Sequence, residues 1–264
     1  MSKLTKHNYF SLENQKTYMG ASQFKDFLKC PTRAMAIING LYEEESTDAF
    51  TQGSYLDAYF EHTLDKFQEQ HPEMFKKDGS LLLKYEKINE LSQIIEADKL
   101  MKSKCTGRQQ VVMTGEIAGV PFKIMIDSLK KDAIVDRKVM AGFKDKYIDG
   151  EWMPWWKAYG YHYQAAIYTE IARQNGKELP FELVAISKEK TPDKAFVRFT
   201  KQTIDNALDE IKYYAPTFQA IKDGLIEPTA CGQCDWCRIN KKLIDTLEEV
   251  ENGKINTLEN RKRK

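Results

Sequence analysis

The chain has 264 residues, 42% of them hydrophobic, enough to build one large domain or two small ones around a substantial core. Its 40 basic and 39 acidic residues give a formal net charge of +1. Overall charge therefore does not indicate a nucleic-acid partner, and any phosphate-binding surface must be a local patch. No apolar run approaches the ~20 residues of a membrane span, and MSKLTKHNYF lacks the apolar segment of a signal peptide. We expect a cytoplasmic protein without a membrane partner, whose five cysteines are reduced.

Helical patterns occupy residues 22–104. Apolar spacing predicts one helix over residues 23–39 and a second from residue 47 or 48 to residue 70. The second helix contains Gly53, where we expect another backbone to approach closely. It also contains Asp57, whose simplest interpretation is a solvated helix residue.

Two β-rich runs, VPFKIMIDSL and AIVDRKVM, follow a strand predicted over residues 108–117 and are joined by a polar turn. With a two-residue loop, Asp127 lies directly opposite Asp136, and Lys138 shares their face because it is two residues further along its strand. The two carboxylates repel each other, and a divalent cation relieves that repulsion because hard cations take carboxylate oxygens as ligands. The alternative is a set of solvent-facing charges with an ordinary surface ion pair. The apolar flanks favour a buried hairpin instead.

Glu116 is a third acid in this region. A tight turn at Ala118-Gly119 would pair it with Pro121, roughly 20 Å along the strand from Asp127. Glu116 is therefore only a secondary candidate for a metal ligand.

The elements that follow complete a mixed α/β pattern. We predict a helix over residues 155–174, strands over residues 181–187 and 194–199, and a helix over residues 201–222. This order predicts an α/β or α+β fold with a mixed central sheet flanked by helices. The three tryptophans around Pro154 are expected in the core or as a plug at the start of a helix, and the alternative is that they stack on unpaired bases.

Three cysteines, Cys231, Cys234 and Cys237, form a C-x2-C-x2-C run near the C-terminus. In a cytosolic protein this spacing indicates a metal site rather than disulfides. A [4Fe–4S] cluster and an all-cysteine zinc site both need four thiolates, so a fourth ligand must come from elsewhere in the chain.

The motifs, taken in order, resemble the PD-(D/E)XK nuclease superfamily, in particular its RecE-like and RecB-type phage exonucleases. The opening segment SQFKDFLKCP also resembles that of AddB-like iron–sulfur nucleases. The resemblance covers most of the chain and implies a restriction-endonuclease-like core. It rests on Cys30-Pro31, Gly53-x-x-x-Asp57, Asp127 with Asp136-Arg137-Lys138, Gln164-x-x-x-Tyr168 and the terminal cysteines.

In that superfamily the motif acids bind Mg²⁺ or Mn²⁺. For this chain, the resemblance implies that Asp127, Asp136 and the backbone carbonyl of Arg137 hold the metal. It implies that Lys138 orients or activates the attacking water.

Three further residues receive roles through the resemblance. Gln164 and Tyr168 are expected beside the metal-binding strand, in contact with the substrate backbone, although a satisfied buried amide would also explain Gln164. Asp57 stands where the family pattern has a histidine near the metal, so it is expected to bind the metal or its water.

The resemblance also makes Cys30 the fourth ligand of the cysteine site, with [4Fe–4S] favoured and zinc as the alternative. Such a cluster would clasp the N- and C-terminal segments together. We expect a single nuclease domain over residues 1–251, with a helical part (22–104), a catalytic core (105–222) and a cysteine segment (223–251). Residues 252–264 are expected to form a disordered basic tail.

The function implied is a Mg²⁺- or Mn²⁺-dependent DNA exonuclease for phage recombination and DNA-end processing, in the cytoplasm of the bacterial host. Its partners would be duplex ends or single-stranded DNA, and a single-strand annealing protein; an oligomeric assembly is left open. One alternative is a non-catalytic DNA-binding or assembly protein that keeps the fold and the cluster. Another is a structural protein stabilised by zinc.

Overall fold

The computed structural model describes residues 3–43, 48–148, 150–242, 246–251 and 254–259. None of the helices in these ranges is both long and apolar enough to cross a bilayer. The helices are α1 Leu12–Thr17, α2 Ala21–Lys29, α3 Pro31–Ile38, α4 Asp48–Phe60, α5 Leu64–Gln70, α6 Leu83–Ala97, α7 Lys99–Cys105, α8 Trp155–Ala158, α9 Tyr161–Gln174, α10 Lys201–Lys222 and α11 Asp235–Ile239, with a 3-10 turn at Pro72–Met74. The strands are β1 Arg108–Ile117, β2 Val120–Leu129, β3 Ile134–Met140, β4 Lys146–Ile148, β5 Glu151–Met153, β6 Phe181–Ser187, β7 Lys194–Arg198, β8 Thr246–Glu251 and β9 Lys254–Glu259.

The central sheet has five strands in the order β1-β2-β3-β6-β7. The pairs β1–β2, β2–β3 and β6–β7 are antiparallel, whereas β3 and β6 are parallel. The sheet is therefore mixed, as predicted. A parallel pair needs a crossover connection, and α9 lies in the segment that joins β3 to β6.

Helices cover both faces of this sheet, and each face has its own apolar core. Ile134 packs with the core that contains residues of α2, α9 and α10, whereas its neighbour Val135 packs with the core under α4, α6 and α7. Successive strand residues point to opposite faces, so one buried strand contributes to both cores. The prediction of a mixed sheet flanked by helices is confirmed.

Several predicted helices are interrupted. The helix expected over residues 23–39 is two helices, because Pro31 disfavours a helical conformation at Cys30, where φ is −163°. Similarly, the helix expected to reach residue 70 ends at Phe60 and resumes as α5, and its expected first residue, 47, lies outside the described residues. Gly160, with φ +67°, separates α8 from α9.

The C-terminal tail differs in part from the expectation of disorder over residues 252–264. Residues Lys254–Glu259 form β9, which pairs antiparallel with β8. Residues 252, 253 and 260–264 lie outside the described part of the chain.

Two glycines differ in the space around them. A Cβ atom at Gly107 would lie 2.6 Å from both the backbone oxygen of Leu129 and the Oγ atom of Ser128. A Cβ atom at Gly53 would meet nothing within 4 Å, so the expected close approach of another backbone at Gly53 is wrong for the described residues. Gly107, instead, is the position that a side chain cannot occupy without moving a strand.

We therefore expect Gly107→Ala and Gly53→Ala to change stability in opposite directions. Gly107→Ala should lower the free energy of unfolding by about 1–3 kcal/mol, because overpacking forces the backbone to shift. Gly53→Ala should raise it by about 0.5–1 kcal/mol, because alanine loses less backbone entropy within a helix. Urea unfolding followed by circular dichroism measures both. Equal effects of the two substitutions would contradict this account.

Candidate active site

The β2–β3 hairpin has the register expected from a two-residue loop. Ser128 pairs with Val135 and Leu129 with Ile134, and the Lys130 amide donates to the Ala133 carbonyl at 2.9 Å. The ladder ends there.

At the next position the two strands separate around the side chain of Asp127. Its Oδ2 atom accepts a hydrogen bond from the backbone N–H of Arg137 at 2.9 Å. Asp127 and Asp136 therefore do not pair through their backbones. The Asp127 side chain takes the place of that pairing and lies beside the carboxylate of Asp136.

One cavity of about 270 Å³ collects the residues expected from the sequence. It is lined by all six side chains proposed for catalysis, Asp57, Asp127, Asp136, Lys138, Gln164 and Tyr168. These residues come from α4, β2, β3 and α9, so the cavity exists only when the sheet and both helical layers are assembled.

Asp136 is the most buried acid of the cavity, with 1% of its surface exposed. Its Oδ1 atom accepts a hydrogen bond from Gln164 Nε2 at 2.6 Å. Its Oδ2 atom forms an ion pair with Lys138 Nζ at 2.6 Å and has no further partner among the described residues. Burial raises the pKa of Asp136 to about 6, although the charge of Lys138 opposes this shift. One oxygen of this buried acid thus retains bonding capacity.

Lys138 carries a positive charge into the cavity. Burial disfavours that charge, but the carboxylates of Asp136 and Asp127 outweigh it and raise the pKa of Lys138. Lys138 is therefore an ammonium group at neutral pH. It can donate hydrogen bonds and offset negative charge, but it holds no free electron pair with which to take a proton.

Gln164 and Tyr168 lie on adjacent turns of α9 and face the sheet. Gln164 holds Asp136, and the Tyr168 hydroxyl donates to the Met125 carbonyl of β2 at 3.0 Å. Burial raises the pKa of Tyr168 well above its usual value, so the phenol stays protonated. Both side chains line the cavity, and the contacts described here fix α9 against β2 and β3.

The side chain of Arg137 has an organising role that the sequence analysis missed, since only its backbone carbonyl was considered. Its Nη2 and Nε atoms donate to Asp57 Oδ1 at 2.9 and 3.3 Å. Its Nη1 atom donates to Gln109 Oε1 at 2.7 Å and to the Cys105 carbonyl at 3.2 Å. The apolar flanks of DRK are the signal that would have shown a buried arginine in need of a carboxylate.

Asp57 is therefore not the solvated helix residue of the simplest interpretation. Its carboxylate lines the cavity on one side and pairs with Arg137 on the other. Burial and the nearby charge of Asp127 raise the pKa of Asp57 to about 7, against the opposing charge of Arg137.

The β1–β2 ladder is interrupted opposite Asp127. Gln109 pairs with Ser128 and Val111 with Ile126, so the register continues unchanged, but Gln110 and Asp127 between them do not pair. The φ of Gln110, +48°, lies in the left-handed region, which is uncommon outside glycine. Gln110 lines the cavity, and no signal in the sequence marked it.

The N-terminal segment forms another wall of the cavity, which the sequence did not indicate. The buried ammonium group of Lys123, on β2, donates to the carbonyls of Tyr9 and Asn14 at 2.5 and 3.2 Å. Met19 makes two backbone hydrogen bonds with the same strand: its amide donates to the Pro121 carbonyl, and its carbonyl accepts from the Lys123 amide. These bonds fix residues 9–19 across the end of the cavity.

Glu116 is not brought to the cavity. It pairs with Pro121 at the far end of the β1–β2 hairpin, as its spacing predicted, and is exposed there. Its secondary assignment as a metal ligand is wrong, because β2 runs six residues from Pro121 before it reaches Asp127.

The four cysteines named in the sequence analysis converge at a second site. Cys30 Sγ lies 3.5 Å from that of Cys237 and 3.7 Å from that of Cys234, and Cys231 lies 3.9 Å from Cys237. All four sulfur atoms lie within 4.8 Å of one another. The helix break at Cys30-Pro31 turns Cys30 toward this group. The fifth cysteine, Cys105, is the last residue of α7 and is buried away from this group.

The contacts of Arg137 predict a stability effect that does not depend on activity. In EDTA, Arg137→Met should lower the free energy of unfolding by about 2–3 kcal/mol, because it removes charge-assisted hydrogen bonds from Asp57 and Gln109. Asp57→Asn should cost less, since the guanidinium keeps its other partners. A double-mutant cycle measured by urea unfolding should give a coupling of about 1 kcal/mol or more between the two positions. Additive effects would contradict the pairing.

The comparisons with known proteins agree with this architecture. Residues 20–240 match the family model described as a PDDEXK-like domain of unknown function (DUF3799). A crystal structure described as a "Putative exonuclease" from Eubacterium rectale is 37% identical, with a TM-score of 0.87 over 92% of this chain and 95% of that one. A comparison with curated proteins finds no match. The matched model spans most of the chain, and the resemblance found in the sequence is confirmed: this protein belongs to the PDDEXK-like family of nuclease-fold domains.

Proposed function

We propose that this protein is a divalent-metal-dependent deoxyribonuclease that degrades DNA from an end. The observation that carries the proposal is the convergence of Asp127, Asp136 and Lys138 on one cavity, where one oxygen of the buried Asp136 carboxylate has only the Lys138 ammonium group as a partner. Family membership and the exonuclease description of the structural neighbour support a nuclease.

The donor set fits Mg²⁺ or Mn²⁺, because both are hard cations that prefer carboxylate and carbonyl oxygens. Asp136 would offer Oδ2, Asp127 the oxygen that Arg137 does not use, and Arg137 its backbone carbonyl. Asp57 would contribute from the edge of the cavity, either directly or through water. Such an ion, when bound, lowers the pKa of a water and polarises a phosphate.

The chain's own residues supply positioning and charge. The Lys138 ammonium group stands beside Asp136, where it can hold a water or offset the negative charge that develops on a phosphate during hydrolysis. Gln164 fixes the orientation of the Asp136 carboxylate. The proposed role of Lys138 is therefore to orient the attacking water or to stabilise charge, as the family resemblance implies.

We further propose that the four cysteines hold a single zinc ion. Four sulfurs at the ~2.3 Å Zn–S distance, at the corners of a tetrahedron, are about 3.8 Å apart. Three of the six separations are 3.5–3.9 Å and all six lie within 4.8 Å, which is close to this spacing. In a [4Fe–4S] cluster each thiolate binds a different iron around an inorganic core, which requires more widely spaced sulfurs. The geometry thus favours zinc over the iron–sulfur cluster that the resemblance implies.

The biological setting is proposed on the resemblance. DNA is the substrate, as duplex ends or single strands. A cytoplasmic role in phage recombination, with a single-strand annealing protein as partner, is proposed on the same resemblance.

A second candidate function is a DNA-binding or assembly protein without catalysis. The observation that favours it is Asp57, which replaces the histidine of the family pattern and pairs with Arg137. The cleavage experiment below separates the two functions.

With Mg²⁺ or Mn²⁺, the wild type should digest linear duplex DNA and leave covalently closed circles intact. Asp136→Ala and Lys138→Ala should reduce the rate on the order of 10³-fold while the fold persists, because each removes charge from the reacting centre. Glu116→Ala is the matched control, since it removes an acid of the same sheet that lies outside the cavity.

The other outcomes are equally informative. Cutting of closed circles would make the enzyme an endonuclease. If neither the wild type nor the variants cleave duplex or single-stranded DNA, the non-catalytic DNA-binding protein becomes the preferred function.

Metal analysis tests the cysteine site. Anaerobically purified protein should be colourless, with about one zinc per chain, because four thiolates saturate one tetrahedral ion. Cys30→Ser should weaken zinc retention and lower the midpoint of thermal unfolding, whereas Cys105→Ala should leave the zinc content unchanged. A brown preparation that contains iron and absorbs broadly in the visible range would establish the [4Fe–4S] alternative.

A further inference from the structure

We propose that the β4–β5 hairpin binds an unpaired DNA strand on two exposed aromatic rings, and that a stripe of packed aromatic and lysine side chains connects this hairpin to the cavity. The proposal rests on the proposed function for the identity of the strand as DNA, but its binding surface can be tested alone.

Two large aromatic side chains face solvent on this hairpin. Tyr147 and Trp152 are directly opposite each other in the β4–β5 register, with ring centroids 5.5 Å apart. Their exposed fractions are 64% and 70%. The expectation that the tryptophans lie in the core therefore holds for Trp155, which is buried, but not for Trp152. An exposed pair of rings is a surface on which flat, apolar groups can stack.

The hairpin rests on a packed aromatic base. Phe143, just before β4, packs against Trp155 of α8 at 5.0 Å between ring centroids. Trp155 in turn contacts Tyr161 of α9 at 6.0 Å. These contacts connect the hairpin to the helix that carries Gln164, so the exposed rings have a fixed position relative to the cavity.

A continuous series of contacts runs from the hairpin to the cavity. Lys146 Nζ lies 5.9 Å from the centre of the Tyr159 ring. Tyr159 stacks on Tyr161, with centroids 5.9 Å apart and planes inclined by 27°. Lys138 Nζ lies 5.9 Å from the centre of the Tyr161 ring. The stripe thus ends at the lysine that pairs with Asp136.

A third ammonium group belongs to the same stripe. Lys25, on α2, donates to the Tyr159 carbonyl at 3.3 Å and lies 5.6 Å from the centre of the Tyr161 ring. Tyr161 itself is buried, so these contacts hold the hairpin in place and offer no ring to a base. The rings that bases can reach are those of Tyr147 and Trp152, and proteins that bind single strands without sequence preference use exposed rings in this way.

The chemistry of the hairpin favours an unpaired strand over a duplex. Its own charges nearly balance, since the sequence of this segment has three acids, Asp145, Asp149 and Glu151, beside Lys144 and Lys146. Phosphate attraction alone is therefore weak here, and the exposed rings must supply most of the binding. Only unpaired bases present their faces for stacking, because those of a duplex interior are covered.

The test is equilibrium binding of a fluorescein-labelled oligothymidine of about 20 nucleotides, followed by anisotropy in EDTA so that no cleavage occurs. Trp152→Ala and Tyr147→Ala should each raise Kd roughly 10-fold, and the double variant up to 100-fold, in line with the stacking energy per base. Binding of a blunt duplex should not change. Tyr213→Ala is the matched control, because Tyr213 is 76% exposed and pairs with Tyr214 on α10.

Unchanged binding of the oligonucleotide by the double variant would overturn the proposal. So would a change in the oligomeric state of the variants, measured by light scattering, with unchanged affinity for the oligonucleotide; the hairpin would then be an interface between copies of the chain.

Asp136→Ala separates this result from the proposed function. If that variant cleaves like the wild type while Trp152→Ala loses binding, the catalytic assignment fails and the strand-binding surface stands. If Asp136→Ala is inactive while Trp152→Ala binds normally, the surface fails alone.

Discussion

The burial of the Asp136 carboxylate beside a second acid is the constraint on which the site depends. A charge with 1% exposure is costly unless other groups compensate it. Lys138 supplies the opposite charge and Gln164 a hydrogen bond, from β3 and α9 respectively. Both partners must be in place before the acid can be charged. The chemistry of the cavity therefore depends on the packing of α9 against the sheet. The Oδ2 atom has Lys138 as its one partner and keeps a further lone pair, which gives the site its capacity for a cation.

Strand β3 places charged groups on both faces of the sheet in successive positions. Asp136 faces α9, whereas Arg137 reaches α4, β1 and the end of α7. The same alternation that lets β3 contribute to two apolar cores therefore also ties two layers of helices to one strand. Asp57 connects them at the cavity, since its carboxylate pairs with Arg137 and still lines the space that contains Asp127. A residue expected to bind metal alone thus also helps to assemble the site.

The cysteine site and the N-terminal wall of the cavity each join segments that are far apart in the sequence. Pro31 ends one helix and begins another, which places Cys30 beside three cysteines more than 200 residues later. Closing so long a loop removes much conformational entropy from the unfolded chain, so an ion bound there would stabilise the domain. Lys123, in the middle of β2, holds residues near Tyr9 over the cavity by donating to their carbonyls. Both contacts draw terminal segments onto the central sheet.

The sequence by itself determined the strands of the central sheet and the register of the β2–β3 hairpin. A two-residue loop and the period of two along a strand placed Asp127, Asp136 and Lys138 on one face. The family resemblance added Asp57, Gln164 and Tyr168, which line the same cavity. The sequence also indicated the cysteine group, since thiolates at short spacing have few other uses in a reducing compartment. Only the tertiary structure decided the partners of Arg137, the left-handed backbone of Gln110 and the exposure of Trp152. Those depend on which distant elements pack against a given side chain, and local spacing carries no information about such contacts.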